Sequence, residues 1–384
     1  MNQLLTNNSI KFLFLIFIAF SNSQAQQLNS KGQLSGWFTW NENKSIGSQA
    51  GIRYIPEVSL EKSFKNGYLL DCEFSLNGYR AWEAGSFSNV DSDGKIKPYR
   101  TWFRFSSNQF EARLGLQKIN FGSALLMRPL MWFDTIDARD PLQLTDGVYG
   151  LLLRYYFINN ANVWLWGLYE NEEKKGLEAF PSDKKSIEYG GRFQYPLFTG
   201  EIGFSYHFRK MDLNSGALTD LIYLNNIVPE NRFAIDGKWD VGIGLWFEGT
   251  IFHQQSDELL LNHQRMFTLG ADYTFSVGNG IHILKEFFSF EASEKIFQNG
   301  EGGKFSAVMA DYPIGFFDQV FGILYYDWEN NNLYRFLRWQ KTYDNWSFHL
   351  MGFWNPDRIL LYQMQTEKNF FSGKGIQIMV VFNH

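Results

Sequence analysis

Along most of the chain apolar residues recur at every second position, in runs of about 9–12 residues closed by Gly, Asn, Asp or Pro. A period of two is the repeat of a β-strand whose faces meet unlike media, whereas a helix repeats near 3.6. Ile202, Phe204, Tyr206 and Phe208 oppose Gly203, Ser205, His207 and Arg209. Ile187, Tyr189, Gly191, Phe193 and Tyr195 oppose Glu188, Gly190, Arg192 and Gln194. After Gly67, Leu70, Cys72, Phe74 and Leu76 oppose Asp71, Glu73, Ser75 and Asn77, which makes the lone Cys72 a small residue of the apolar face.

The connections carry a second pattern. Short breaks fall at 65–67, 107–108, 159–160, 198–200, 238–240, 278–280, 313–315 and 343–345. Between them lie longer polar stretches near 43–49, 83–96, 118–146, 171–185, 211–230, 254–264, 292–303 and 355–371, with a tight one at 329–332. Short and long connections alternate, as they do in an outer-membrane barrel. The count predicts an all-β, transmembrane antiparallel barrel over 26–384 with 18 strands, 16 being the alternative. An even number leaves both termini on the short-turn, periplasmic side. Residues 374–382 read as a closing strand, with Ile376, Ile378, Val380 and Phe382 on one face. A secreted β-sandwich or propeller also alternates, but between a shared core and water, and no blade-length repeat is visible.

Composition sharpens this picture. The chain has 38 Phe, 19 Tyr and 13 Trp, yet its mean hydropathy is slightly negative, so rings must be interleaved with polar residues. Such a chain is too aromatic for disorder and lacks the repeated 20-residue apolar runs of a helical membrane protein. One cysteine excludes a disulfide framework. Residues 1–25 read as a signal peptide: Lys11, an apolar run from Phe12 to Phe20 too short to span, then Ser23-Gln24-Ala25. Without Lys11, 34 basic residues face 40 acidic ones, which gives no support for nucleic-acid binding.

The candidate chemistry lies between 97 and 157. Arg100, Trp102 and Arg104 share a strand face, the next strand adds Glu111 and Arg113, and the following one adds Arg154. With strands about 4.8 Å apart, these residues form one wall of a lumen. Such a wall biases anion passage, or its charges pair among themselves and fill the interior. The intervening stretch 118–146 is too apolar to lie in water, with Leu125, Leu126, Met127, Leu130, Met131, Trp132 and Phe133, and it also carries Arg128, Asp134, Asp137, Arg139 and Asp140. It is expected to fold inward as a constriction; an outer lid or a partner-binding surface is the other reading. The six histidines show no zinc-binding spacing, and no nucleophile motif is present. His207 and His349 are expected as polar fillers of the lumen.

Arg113-x-Gly115-x-Gln117-Lys118-x-x-Phe121-Gly122, followed by Asp134-x-x-Asp137-x-Arg139-Asp140-Pro141, resembles Gram-negative porins of the alginate-export type. Arg53-Tyr54-Ile55-Pro56-Glu57 is similar to related porin-like proteins of Bacteroidetes. The resemblance implies an 18-stranded channel, in some members for anionic sugars, with Arg100, Arg104, Arg113, Arg128, Arg139 and Arg154 touching the permeant. The expected function is diffusion of small hydrophilic solutes, anions being the candidate class, across the outer membrane, without enzyme activity, cofactor or metal. The surroundings expected are outer-membrane lipid and lipopolysaccharide. A non-conducting subunit of an assembly or secretion complex, and a barrel hydrolase, are the alternatives.

Overall fold

The computed structural model describes residues 26–43, 46–84, 90–215, 227–256, 259, 261–356 and 370–384. The segment read as a signal peptide lies outside them, as do parts of the connections 211–230 and 355–371. Eighteen antiparallel strands follow in chain order: β1 (Gln26–Asn41), β2 (Ser48–Ser63), β3 (Leu69–Ala84), β4 (Val90–Ser106), β5 (Phe110–Gln117), β6 (Val148–Tyr156), β7 (Asn162–Leu168), β8 (Glu188–Leu197), β9 (Gly200–Asp212), β10 (Ile227–Asp240), β11 (Gly244–Gln254), β12 (His263–Phe275), β13 (Ile281–Ser293), β14 (Glu301–Pro313), β15 (Asp318–Asp327), β16 (Asn332–Thr342), β17 (Trp346–Trp354) and β18 (Lys374–Asn383). Each pairs with its sequence neighbours, and β1 pairs with β18, Gln33 facing Asn383 and Asn41 facing Gly375. The sheet therefore closes on itself and leaves no edge.

Burial follows the two-residue period. On β9, Phe204 is 48% exposed while Ser205 and His207 are buried; on β18, Ile376 and Ile378 are exposed on either side of buried Gln377. A soluble protein would bury the rings. Here apolar rings cover the outside, the inverted arrangement of a barrel in lipid, while the inside is polar on strands such as β9 and apolar where a buried cluster fills it on β11 and β13–β17. Cys72 is half-buried and stands opposite Phe103 and Leu60, in the outward row of Phe74.

Two connections differ from the sequence reading. The stretch 83–96 is mostly strand, because β3 runs to Ala84 and β4 starts at Val90. Its polar side chains do not stop the backbone ladder, which continues through Arg80–Gly94 and Trp82–Ser92. The break placed at 238–240 lies at 241–243, since Lys238, Trp239 and Asp240 still pair with β11. Propensity alone does not mark where a ladder ends; the register with the neighbouring strand does.

Candidate functional site

The register brings four of the five wall residues together. Arg104 stands opposite both Asp71 and Arg113, and Glu111 opposite Arg154, all pointing inward. Arg104 grips Asp71 through two bonds, Nε at 2.8 Å and Nη2 at 2.7 Å. The Glu111 carboxylate collects the guanidiniums of Arg113 at 3.2 Å, Arg154 at 3.5 Å and Arg104 at 3.7 Å. Arg113 lies over the ring of Trp102 and Arg154 over that of Trp164. Three guanidiniums against two carboxylates leave one positive charge, much less than the arginines alone suggest. Arg100 stands apart: it stacks on Tyr99, and its Nη2 donates to the carbonyl of Thr145 at 3.0 Å.

The segment 118–147 starts from two glycines. Gly115 (φ +122°) and Gly122 (φ +95°) both take the left-handed region, and a Cβ would lie 2.2 Å from the Thr101 carbonyl in the first case and 2.3 Å from Glu248 Oε1 in the second. Between them Gln117 is fully buried and donates to the carbonyls of Arg113 and Gly150, and Phe121 stacks on Trp166. Beyond them, an irregular backbone must find partners for its N–H groups once it leaves water. Two inward carboxylates supply them. Glu248 of β11 accepts from Ala124 at 2.7 Å and Leu130 at 3.1 Å. Glu286 of β13 accepts from Leu125, Leu126 and Met127 at 2.7, 3.0 and 2.7 Å, and from the Trp246 indole at 3.1 Å. The Thr268 hydroxyl donates to the Met127 carbonyl at 2.7 Å.

Burying a carboxylate costs several kcal/mol, and each charge-assisted bond returns about 1.5–3 kcal/mol. These bonds offset part of that cost. The net gain comes from apolar burial, about 1.5–3 kcal/mol for each large side chain. Ile119, Leu126, Leu130, Trp132 and Phe133 of the segment join one buried cluster with Trp246, Leu284, Ala307, Ile323, Tyr334 and Phe353 from β11 and β13–β17.

The charged residues of the segment are mostly committed to one another. Arg128 holds Asp134 by two bonds, at 2.6 and 3.1 Å, and Asn120 at 2.9 Å; both ions are buried. Arg139 bonds to Asp137 and lies over Phe336 and Phe371. Asp140 accepts the amides of Leu142 and Leu144, and burial pushes its carboxyl above the ordinary range. Of the five, Asp137 has the most exposed side chain among those in ion pairs, at 31%.

Sequence reasoning missed a second filler. The connection 169–187 packs beside the first, with the Gly176 amide on the Asp134 carbonyl at 3.0 Å. There Arg209 and Arg232 share the carboxylates of Glu178 and Glu230 at 2.6–3.1 Å, all four side chains 4% exposed or less. Arg192 pairs with Asp236, and His207 bridges Trp166 and Glu188. Alternation placed Glu188, Arg192, His207 and Arg209 on the polar face but could not tell which partners they would meet. Also missed were Arg53 and Arg338, half-buried inward guanidiniums over Trp37, Tyr79 and Phe321. Neither has a carboxylate at ion-pair distance among the described residues, and the Nε of each is without a hydrogen-bond partner. Both lie within electrostatic reach of Asp140. Among the described residues no cluster of His, Cys, Asp and Glu could hold a metal ion.

With this geometry the chain can be set beside known structures. The fold is that of the outer-membrane porins. OccAB4 of Acinetobacter baumannii matches over 94% of this chain and 99% of its own, with a TM-score of 0.58 and 9% identity. OccAB1 of the same organism covers 94% and 98%, with a TM-score of 0.53 and 10% identity. OmpT, an outer membrane protein of Vibrio cholerae, covers 94% and 100%, with a TM-score of 0.50 and 10% identity. No protein-family model matches the chain, and no curated protein does. At such identity the likeness extends to the fold, and residue roles must come from this chain's own geometry.

Proposed function

We propose that the protein is an outer-membrane channel for small hydrophilic solutes, with 118–147 folded inward as its constriction. The observation that carries this reading is the contrast between two sides of the inner wall. Large inward side chains on β11–β17, such as Trp246, Leu284 and Tyr334, are buried by that segment. On β1–β4, the inward Trp37, Arg53, Tyr79 and Trp102 remain half-exposed. A passage therefore runs between the segment and the β1–β4 wall. Arg53, Arg338 and the net positive group around Glu111 make that passage favourable to anions. Arg100 and Arg139 hold the segment more than they meet a permeant, and Arg128 is locked inside it.

The glycine positions, Gln117 and Phe121 build the hinge of the constriction, which supports kinship with porins of the alginate-export type. The termini sit at the rim of the short turns, which supports a periplasmic location for both once residues 1–25 are removed as a signal peptide. A plugged, non-conducting subunit is the second reading, favoured by the buried Arg209–Glu230 network that adds a second segment to the filling. Planar-bilayer recording separates the two. Steps of conductance that grow on deletion of 123–143 support the channel; silence from both proteins would sink it.

A further inference from the structure

The outer wall carries a feature that the passage does not use. Across β2–β4 a groove of about 580 Å³ opens outward, floored by Gly78 and Gly94 and flanked by Leu34, Ile52, Tyr54 and Ile96. Ile96 is 78% exposed, the flanking Leu34, Ile52 and Tyr54 38–47%. At its upper end stands Arg80, exposed and outward, with Nη2 3.4 Å from the Ser92 hydroxyl and its guanidinium 5.8 Å from the ring of Trp82. No carboxylate among the described residues pairs with it.

The height of this cation decides what it can meet. Tyr68 is exposed beside Phe105 at the short-turn rim, the position of an interfacial ring. Arg80 lies twelve residues further along the chain, on β3, which starts at the next residue, Leu69. At about 3.3 Å per residue and a tilt of about 40°, that is about 30 Å along the barrel axis. The distance equals the hydrocarbon thickness of a bilayer, about 30 Å. The guanidinium thus sits at the opposite headgroup level, directly above an apolar groove without side chains on its floor.

We infer that this groove is a binding site for one anionic lipid, its acyl chain over Gly78 and Gly94 and its phosphate on Arg80 and the Ser92 hydroxyl. Arginine is suited to phosphate because its planar fork donates two parallel bonds. The inference rests on the barrel standing in a membrane, not on its conducting.

Native mass spectrometry of the full barrel in non-ionic detergent, with phosphatidylglycerol or phosphatidylcholine added, tests it. The wild type should retain one phosphatidylglycerol in preference to phosphatidylcholine. Arg80→Gln should lower phosphatidylglycerol retention about five-fold and leave phosphatidylcholine unchanged. Gly78→Leu should lower retention of both; its Cβ meets Ile96 Cγ1 at 3.5 Å, an ordinary contact, so the barrel tolerates it while the groove fills. Lys285→Gln, at an exposed position on β13, serves as the control. Equal loss in Lys285→Gln and Arg80→Gln, or wild-type retention in Arg80→Gln and Gly78→Leu, would overturn the site. Intact single-channel conductance alongside such a result leaves the channel reading standing.

Discussion

Glu286 Oε2 on β13 lies 2.7 Å from the backbone nitrogen of Met127, 159 residues earlier in the chain. A carboxylate on the inner wall is thereby fitted to the amides of an irregular segment, and the segment takes its place from the wall.

Glu286→Leu should free that segment. Three amides and an indole N–H lose their acceptor, each at about 1–3 kcal/mol if it stays buried. The segment should escape to water instead. In planar bilayers the variant should show larger and noisier steps than wild type, with unchanged heat-modifiable mobility of the barrel on gels. Wild-type steps would reject the anchoring role.

Gly122→Ala tests the neighbouring anchor, Glu248 of β11. The new methyl would press on Glu248 Oε1, and its φ is unfavourable by about 1–3 kcal/mol. Protease cleavage within 118–147 should become faster while the barrel core stays resistant. Unchanged cleavage rates would show that the hinge tolerates a side chain.

Selectivity should respond with opposite signs to two changes. Arg53→Gln with Arg338→Gln removes two cations that lack ion-pair partners, and the anion-to-cation permeability ratio should fall by about five-fold, the size of about 1 kcal/mol between charges in water. Glu111→Gln leaves three guanidiniums around a neutral amide and should raise the ratio. Reversal potentials in a salt gradient measure both, and shifts of the same sign would contradict the assignment.

Arg209→Ala should destabilise the folded barrel by about 3–5 kcal/mol, because it strands the buried Glu178 and Glu230 against Arg232 alone. Urea unfolding in detergent micelles reads this directly. A loss below about 1 kcal/mol, the scale of a surface pair, would mean that water reaches the network.

Phe204 and His207 declare their faces locally, because a strand turns each side chain opposite to the last and lipid and lumen select for unlike chemistry. Alternation and turn residues therefore determined the strands, their number, and the inward direction of Arg104, Glu111 and Arg113. Apolar content marked 118–146 as a segment unfit for water, and Gly115 and Gly122, on either side of its start, belonged to the motif that resembles porins. What no local pattern contains is partnership across the barrel. Glu248, Glu286, Arg209 and Arg232 look in sequence like any inward polar residues, and Arg53 and Arg338 like any paired ones. Only closure of the sheet decided which carboxylates meet backbone amides, which arginines neutralise each other, and that Arg53 and Arg338 face inward with no carboxylate at ion-pair distance among the described residues. The reason is physical: facing direction is set by the neighbouring residue in the chain, but neutralisation and hydrogen bonding are set by distance, and distance within a barrel depends on all of its strands at once.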